Sequence, residues 1–412
     1  MRIVCVGGGP AGLYFAISAK LRDPGHDITV IERDPAGATY GWGVVYWDDL
    51  LDILFRNDPE SARQVRAASA LWQEQEVHLR SEQTAYFPGY GFSVGRGTLL
   101  DILGQRAMDL GVDVRYRHEV DGMSGLVAAE FAGADLVVAS DGANSRVRQL
   151  YGHHFGTRVD VGGNHYIWLG TDQVFDSFTF AFEQTSAGWI WFHAYPSSAE
   201  TSTLIVECTP GTWQGLGFDS HGDEDSIRLL EKIFKRTLDG HSLISRSRGE
   251  PARWLRFTQV SNATWRHDNV VLVGDAAHTT HFTLGSGTRL AIIDAIMLAQ
   301  SLYDHEEPSA AAAQYDREGR AAMRPVQAAA RTSMAWFEHV DRYLDRDAVA
   351  FAYAMSVREG GQPPWRYQAH LAIQIPVVRK ALRALHSGQR WYLARRRGEA
   401  AVLPVRRMAL TS

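Results

Sequence analysis

The chain has 412 residues, 45% apolar, 22% charged and 11% aromatic, the profile of a folded globular protein with two or three domains. A formal charge of −5 argues against a general nucleic-acid grip, and two cysteines, Cys5 and Cys208, exclude a disulfide framework or a cysteine-based zinc site. No run approaches the ~18 apolar residues of a membrane span, and the short apolar opening argues against a secretory leader, so a cytoplasmic protein is expected.

Residues 1–33 read as a βαβ unit: a buried strand at 2–6, a glycine turn at 7–12, a helix at 13–22 and a second strand at 27–32. A helix is expected over 59–80, with Asp58-Pro59 as cap and first-turn proline, and another over 95–110. Gly111 then leads to a strand at 112–116, and 135–140 forms a further buried strand ending in Asp141-Gly142. From about 160 to 260 the period becomes two: 177–183, 189–195 and 203–208 alternate apolar and polar residues, which predicts an antiparallel sheet, broken by one helix near 223–238. Residues 269–273 return to an all-apolar strand, and alanine-rich helices run from about 288 onward. The expected fold class is α/β. A Rossmann-like dinucleotide-binding domain (1–158 with 262–335) is interrupted by a β-sheet substrate domain (159–261) and followed by a C-terminal helical region (336–412).

Gly7, Gly9 and Gly12, with Pro10 and Ala11 inside the turn, form G-x-G-x-x-G between a strand and a helix. The first glycine permits the tight turn, the second lets a pyrophosphate approach the backbone, and the third allows close helix–strand packing. Glu32, 20 residues beyond Gly12, stands where an acid binds ribose hydroxyls, with Arg33 beside it. These features predict binding of an adenine dinucleotide but do not separate FAD from NAD.

Two later stretches choose the flavin. The run 269–278 (Asn-Val-Val-Leu-Val-Gly274-Asp275-Ala-Ala-His278), followed by Gly285, Ser286, Gly287 and Thr288, resembles the second FAD fingerprint of the class A flavoprotein aromatic hydroxylases, the para-hydroxybenzoate hydroxylase family. Asp141-Gly142, with Asn144 to Arg148, looks like that family's Asp-Gly motif, and Arg96 matches its arginine on the FAD chain. The resemblance implies an FAD domain of the glutathione-reductase type, with Asp275 on the ribityl chain and the helix near Gly287 pointing its positive end at the flavin. It also implies NADH or NADPH and O2 as cosubstrates, without a separate nicotinamide domain. Hydroxylation of an activated ring through a flavin C4a-hydroperoxide follows from the same resemblance. Residues 41–45 (Gly-Trp-Gly-Val44-Val), Asp48-Asp49 and residues 278–288 are similar to the salicylyl-CoA and anthraniloyl-CoA branch. The expected substrate is therefore a small aromatic, most simply an aryl-CoA thioester such as salicylyl-CoA, hydroxylated to gentisyl-CoA. Gly-Trp-Gly-Val-Val and the stretch around Trp168 also resemble the violacein-pathway hydroxylase, which keeps an indole-type substrate open. No metal and no nucleic-acid or membrane partner is expected, and the protein should be a monomer or homodimer.

His281 and Phe282 stand where many relatives carry prolines; His281 is either an imidazole at the reactive flavin edge, suited to proton relay near pH ~6.5, or a loop histidine fixed by a backbone hydrogen bond. Tyr46 and Trp47 follow a strand expected to run toward the ring, with Tyr46 a catalytic candidate and Trp47 a substrate contact. Trp191, His193 and Tyr195 share one strand face by period two, and with Trp168 they are candidates for an aromatic pocket wall. The arginine-rich tail (Arg379, Arg383, Arg390, Arg395–397, Arg406, Arg407) is either a CoA-phosphate site or a solvated helix, and the general arginine bias, 38 of 42 basic residues, favours the latter. Lysine scarcity and a Trp189-Ile-Trp191-Phe sequence argue against halogenation, and a flavin-binding module without turnover is the remaining rival.

Overall fold

The computed structural model describes residues 1–38, 42–120, 131, 133–247, 250–285, 287–358, 360, 363 and 365–399. Arg2–Val6 lies in a parallel sheet between Asp27–Ile31 and Leu136–Ala139. Val270–Leu272 joins beyond Leu136–Ala139, Asp113–Arg115 closes the other side, and Arg266–His267 adds an antiparallel edge. Ile3, Val4, Cys5 and Val6 are all buried, as expected of a strand covered on both faces. Helices Pro10–Arg22 and Gly287–Asp304 pack against each other. The βαβ unit, the 96–109 helix and the buried strands thus form where the periodicity put them.

A larger sheet supplies the second layer. Among the described residues its strand order is Leu243–Ile244, Arg158–Thr171, Ser202–Cys208, Gly188–Pro196, Phe178–Thr185, Ala70–Leu79, Gln83–Gly95 and Gly43–Tyr46, with Leu255–Ser261 also on Arg158–Thr171. Two expectations change here. The 59–80 helix is a short helix, Pro59–Ala67, followed by the strand Ala70–Leu79. Glutamine and glutamate favour helix locally, but pairing on both sides, antiparallel to Gln83–Gly95 and parallel to Phe178–Thr185, overrides that weak preference. Secondly, the sheet crosses the expected domain boundary at 159, because three of its strands come from the first 95 residues.

The register gives this sheet two unlike faces. Ile167, Leu169, Phe192, Ala194, Leu204 and Val206 pack on Leu230, Phe234 and Leu238 of the helices Asp223–Ile233 and Lys235–Leu238. On the opposite face, Tyr166, Glu207, Trp191 and Phe182 form one cross-strand row, and Trp168, Ile205, His193 and Phe180 the next. Trp336, Phe337 and Phe351, from Pro308–Glu338 and Ala348–Ser356, cover the Phe182–Trp191 end. The last helix, Pro376–Arg397, is strapped down by its arginines: Arg379 and Arg383 pair with Glu74, and Arg397 with Asp48 at 2.7 Å and Asp52 at 3.0 Å. No helix among the described residues is long and apolar enough to cross a membrane.

Candidate active site

The three glycines of the first turn divide their work as the motif requires. At Gly7 (φ +107°) a Cβ would fall 2.4 Å from the Ser140 carbonyl oxygen, and at Gly12 it would fall 2.2 Å from that of Gly7. At Gly9 it would meet nothing within 4 Å, so this edge of the turn faces open space. There the helix starting at Pro10 and Ala11 presents its first N–H groups, the usual seat of a phosphate. Glu32 is held beside the turn, accepting the N–H groups of Gly8 (2.7 Å) and Asp34 (2.9 Å). Arg33 points outward and lies 3.7 Å from Asp34, at the rim rather than in the cradle.

Around that opening, buried polar atoms lack partners. The Nε of Arg96 has none, while its backbone N–H donates to Trp42 O at 2.8 Å. Burial pulls the Arg96 guanidinium below its ordinary pKa, opposed by the charges of Asp275 and Glu32. At the start of the Arg146–Leu150 helix, which Ser145 caps, Asp141 Oδ2 accepts from Arg146 N at 2.7 Å and Val147 N at 3.2 Å, yet its buried Oδ1 has no partner. Burial pushes this carboxyl up. Asp275 is still reached by solvent, but the protein around it displaces enough water to raise its pKa against the pull of His278 and Arg96. An open glycine edge ringed by an unpaired guanidinium N–H and an unpaired carboxylate oxygen fits a molecule with phosphates and sugar hydroxyls. These residues fit FAD.

The second fingerprint meets the first directly. Gly274 (φ +64°) sits so close to two helices that a Cβ would lie 3.0 Å from Ala11 of Pro10–Arg22 and 3.3 Å from Ala291 of Gly287–Asp304. Gly285 (φ +60°) is pressed against Val45 and Trp47, 2.9 and 3.1 Å from a would-be Cβ. Ser286 lies outside the described residues. Gly287 opens the Gly287–Asp304 helix with free space beside it, and Thr288 is half-buried in its first turn.

Between these glycines, the loop at 281–284 lies against the aromatic face of the large sheet. Phe282 stands 4.8 Å from Tyr166 and 5.7 Å from His193, and His281 stands 4.8 Å from Phe257 (ring centroids). Both histidines are buried. Burial, helped by the Arg358 charge, pushes each down to about 3, and His193 adds to the effect on His281. This corrects the titration near 6.5 expected of His281: burial disfavours the charged imidazolium there, as it does at His193, and His281 Nδ1 lies 2.9 Å from Thr283 Oγ1. His278 is a different case, a structural residue whose Nε2 lies 2.6 Å from Asp294 Oδ2.

Other expected residues divide. Trp168 is half-buried on the aromatic face with its Nε1 unpartnered. Trp47 lies at the Gly285 turn, 6.2 Å from Trp72. Trp191 is instead packed solidly between Phe182 and Phe337, its Nε1 donating to Glu207 at 3.2 Å, so it is core rather than pocket wall. Tyr195 is buried, and its hydroxyl ties Gly43 O at 2.9 Å, a clasp between strands. Tyr46 alternates to the side opposite Trp47, together with Val44, because strand residues point to opposite faces. It stacks on Phe92 with its hydroxyl bonded to Ser69, away from the Gly285 turn. Arg379, Arg383 and Arg397 are used internally, and Arg406 and Arg407 lie outside the described residues. Sequence reasoning missed Thr283, Ser333 and Arg358, which bond to the 281–284 loop. It also missed Glu207, although that residue shares the period-two face with Tyr166 and Trp191.

The FAD binding domain family matches residues 1–332. The chain is 36% identical over 354 residues to a salicyloyl-CoA 5-hydroxylase of a Streptomyces species, covering 84% of this chain and 66% of that longer protein. It is 34% identical over 372 residues to the 3-hydroxy-4-methyl-anthranilyl-[aryl-carrier protein] 5-monooxygenase of Streptosporangium sibiricum, covering 89% and 96%. With the protodeoxyviolaceinate monooxygenase of Chromobacterium violaceum it shares 28% over 375 residues, covering 88% and 96%. The solved structure of 2-methyl-3-hydroxypyridine-5-carboxylic acid oxygenase superposes with a TM-score of 0.65 at 20% identity, over 90% of this chain and 95% of that one, which shows a shared fold. A glycine cradle, two fingerprints meeting at Gly274 and these relatives agree: the chain belongs to the FAD binding domain family and is an FAD-dependent monooxygenase.

Proposed function

We propose that this protein hydroxylates an electron-rich aromatic ring carried on a thioester, and that salicylyl-CoA is the first substrate to test. The observation that supports this reading best is the 281–284 loop. It follows the second FAD fingerprint and packs Phe282 against Tyr166 and His193 of the large sheet, with His281 of the loop beside Phe282, so that two imidazoles kept uncharged by burial meet there. An apolar aromatic wall with a few uncharged polar groups suits a flat ring and excludes water. Relatives at 36% and 34% identity are named for hydroxylating aryl groups held on CoA or on a carrier protein.

Bound FAD supplies the redox chemistry, taking electrons from NADH or NADPH and passing them to O2. The chain does the rest. The helix N-terminus after Gly9 receives the pyrophosphate and Glu32 the ribose. Arg96, Asp141 and Asp275 fix the remaining polar groups, and Phe257 and Phe282 keep water out. His281 and His193, being neutral, orient the ring substituent by hydrogen bonding rather than by charge.

The test is substrate-stimulated NAD(P)H oxidation over a panel of salicylyl-CoA, anthraniloyl-CoA, free salicylate and an indole, with product masses read by mass spectrometry. A product 16 mass units heavier from a thioester alone supports the reading. Turnover of the indole with silent thioesters would replace it with the second reading, which the 28% relative named for a violacein precursor favours.

A further inference from the structure

Four polar side chains link the 281–284 loop to the C-terminal region. Arg358 donates through Nε to Ser333 Oγ at 2.8 Å, Ser333 Oγ lies 2.8 Å from Thr283 Oγ1, and Thr283 Oγ1 lies 2.9 Å from Nδ1 of His281. Arg358 is held in place by further bonds to Thr283 O (3.2 Å) and Met355 O (2.9 Å). Ser333 is fully buried.

Proton accounting gives this chain a direction. A guanidinium only donates, and each hydroxyl has a single proton to give. Ser333 accepts from Arg358, so its own proton goes to Thr283, the other partner it has among the described residues. Thr283 accepts that proton and therefore gives its own to His281 Nδ1. A neutral imidazole that accepts at Nδ1 is protonated at Nε2. In the reverse order, Ser333 would accept twice and bury its proton without an acceptor, which is unfavourable because a buried donor has lost the water that would otherwise satisfy it. Nε2 of His281 has no protein partner among the described residues.

We propose that Arg358, Ser333 and Thr283 are positioning residues that fix His281 as its Nε2–H tautomer, making it a hydrogen-bond donor to the aromatic substrate at the FAD loop. Only the identity of the acceptor rests on the functional reading above. The tautomer follows from the protein alone. In chemical terms, the loop histidine is a donor to a ring oxygen or nitrogen and not the base that removes its proton.

Long-range proton–nitrogen NMR of the FAD-loaded full-length protein, labelled with 15N-histidine and assigned by loss of one signal in H281N, reads the tautomer directly. The wild type should show a pyridine-like Nδ1 and a protonated Nε2. Thr283→Val should shift His281 to a tautomer mixture, and Thr283→Ser should restore the wild-type pattern. Because Arg358→Met also loosens the C-terminal region, the threonine pair decides the matter. Nδ1–H in the wild type, or an unchanged tautomer in Thr283→Val, overturns the proposal. In turnover, Thr283→Val should lower kcat roughly tenfold, the worth of one oriented hydrogen bond, with KM unchanged and with recovery in Thr283→Ser. A shifted tautomer with undiminished kcat would refute the donor role. Silence of every thioester in the panel would sink the functional reading while the NMR result stood on its own.

Discussion

His278 Nε2 donates to Asp294 Oδ2 at 2.6 Å with both residues almost wholly buried, and the same carboxylate oxygen accepts the Gly274 N–H at 3.0 Å. One carboxylate thus ties the second FAD fingerprint to the helix that follows it. Burial alone would strip the imidazole of its proton, but the Asp294 charge and hydrogen bond raise its pKa above the ordinary value. Stability from this pair is complete below pH ~6.5 and fades as pH rises through the higher folded-state pKa. Asp294→Asn should cost about 3–5 kcal/mol in urea unfolding at pH 6, since removing one partner strands the other. An unchanged midpoint would refute this.

Arg96 presents an unpaired buried Nε–H beside Asp275. Arg96→Met should therefore weaken FAD binding by roughly 10–100-fold, the value of a charge-assisted hydrogen bond, while leaving the thermal midpoint of FAD-free protein within a few degrees. Equilibrium dialysis against FAD, with thermal melts of stripped protein, separates the two effects.

The glycines of the first turn should respond unequally. Gly12→Ala would force a Cβ to within 2.2 Å of the Gly7 carbonyl oxygen, and should destabilise the FAD-free protein by about 1–3 kcal/mol. Gly9→Ala meets no protein atom, so the stripped protein should melt normally yet stay colourless with FAD. Yellow protein of wild-type affinity from Gly9→Ala would show that the pyrophosphate does not sit there.

Glu207 is buried at the sheet centre, accepting from Asn164 at 2.7 Å and Trp191 at 3.2 Å. Burial lifts its carboxyl to about 7, with those two hydrogen bonds opposing and Glu338 assisting. A carboxyl raised in the folded state stabilises while protonated, so its contribution is lost as pH climbs from ~4.5 through 7, on the order of 3 kcal/mol. Glu207→Gln, which cannot ionise, should flatten the stability profile between pH 5 and 8. Identical slopes for the two proteins would place the titration elsewhere.

Much of the FAD cradle was legible because it is written in local covalent geometry. Gly7, Gly12 and Gly274 occupy backbone positions closed to a Cβ, and the apolar run at 3–6 is the signature of a doubly covered strand. The aromatic face was also readable, since a period of two survives any register. That same period did not say which aromatics line the site and which fill the core, so Trp191 and Tyr195 were indistinguishable from His193 until partners were known.

The amino-acid order alone determined the coenzyme fingerprints, the α/β alternation and the inserted antiparallel strands, because turns and burial patterns act over a few residues. The folded chain decided that 70–79 is a strand, that Tyr46 faces away from the Gly285 turn, and that the tail arginines answer Glu74, Asp48 and Asp52. It also brought Arg358 to Thr283, 75 residues earlier, a pairing no local propensity encodes. Long-range hydrogen bonds form only after burial removes water as the competing partner, and burial belongs to the whole molecule rather than to any segment.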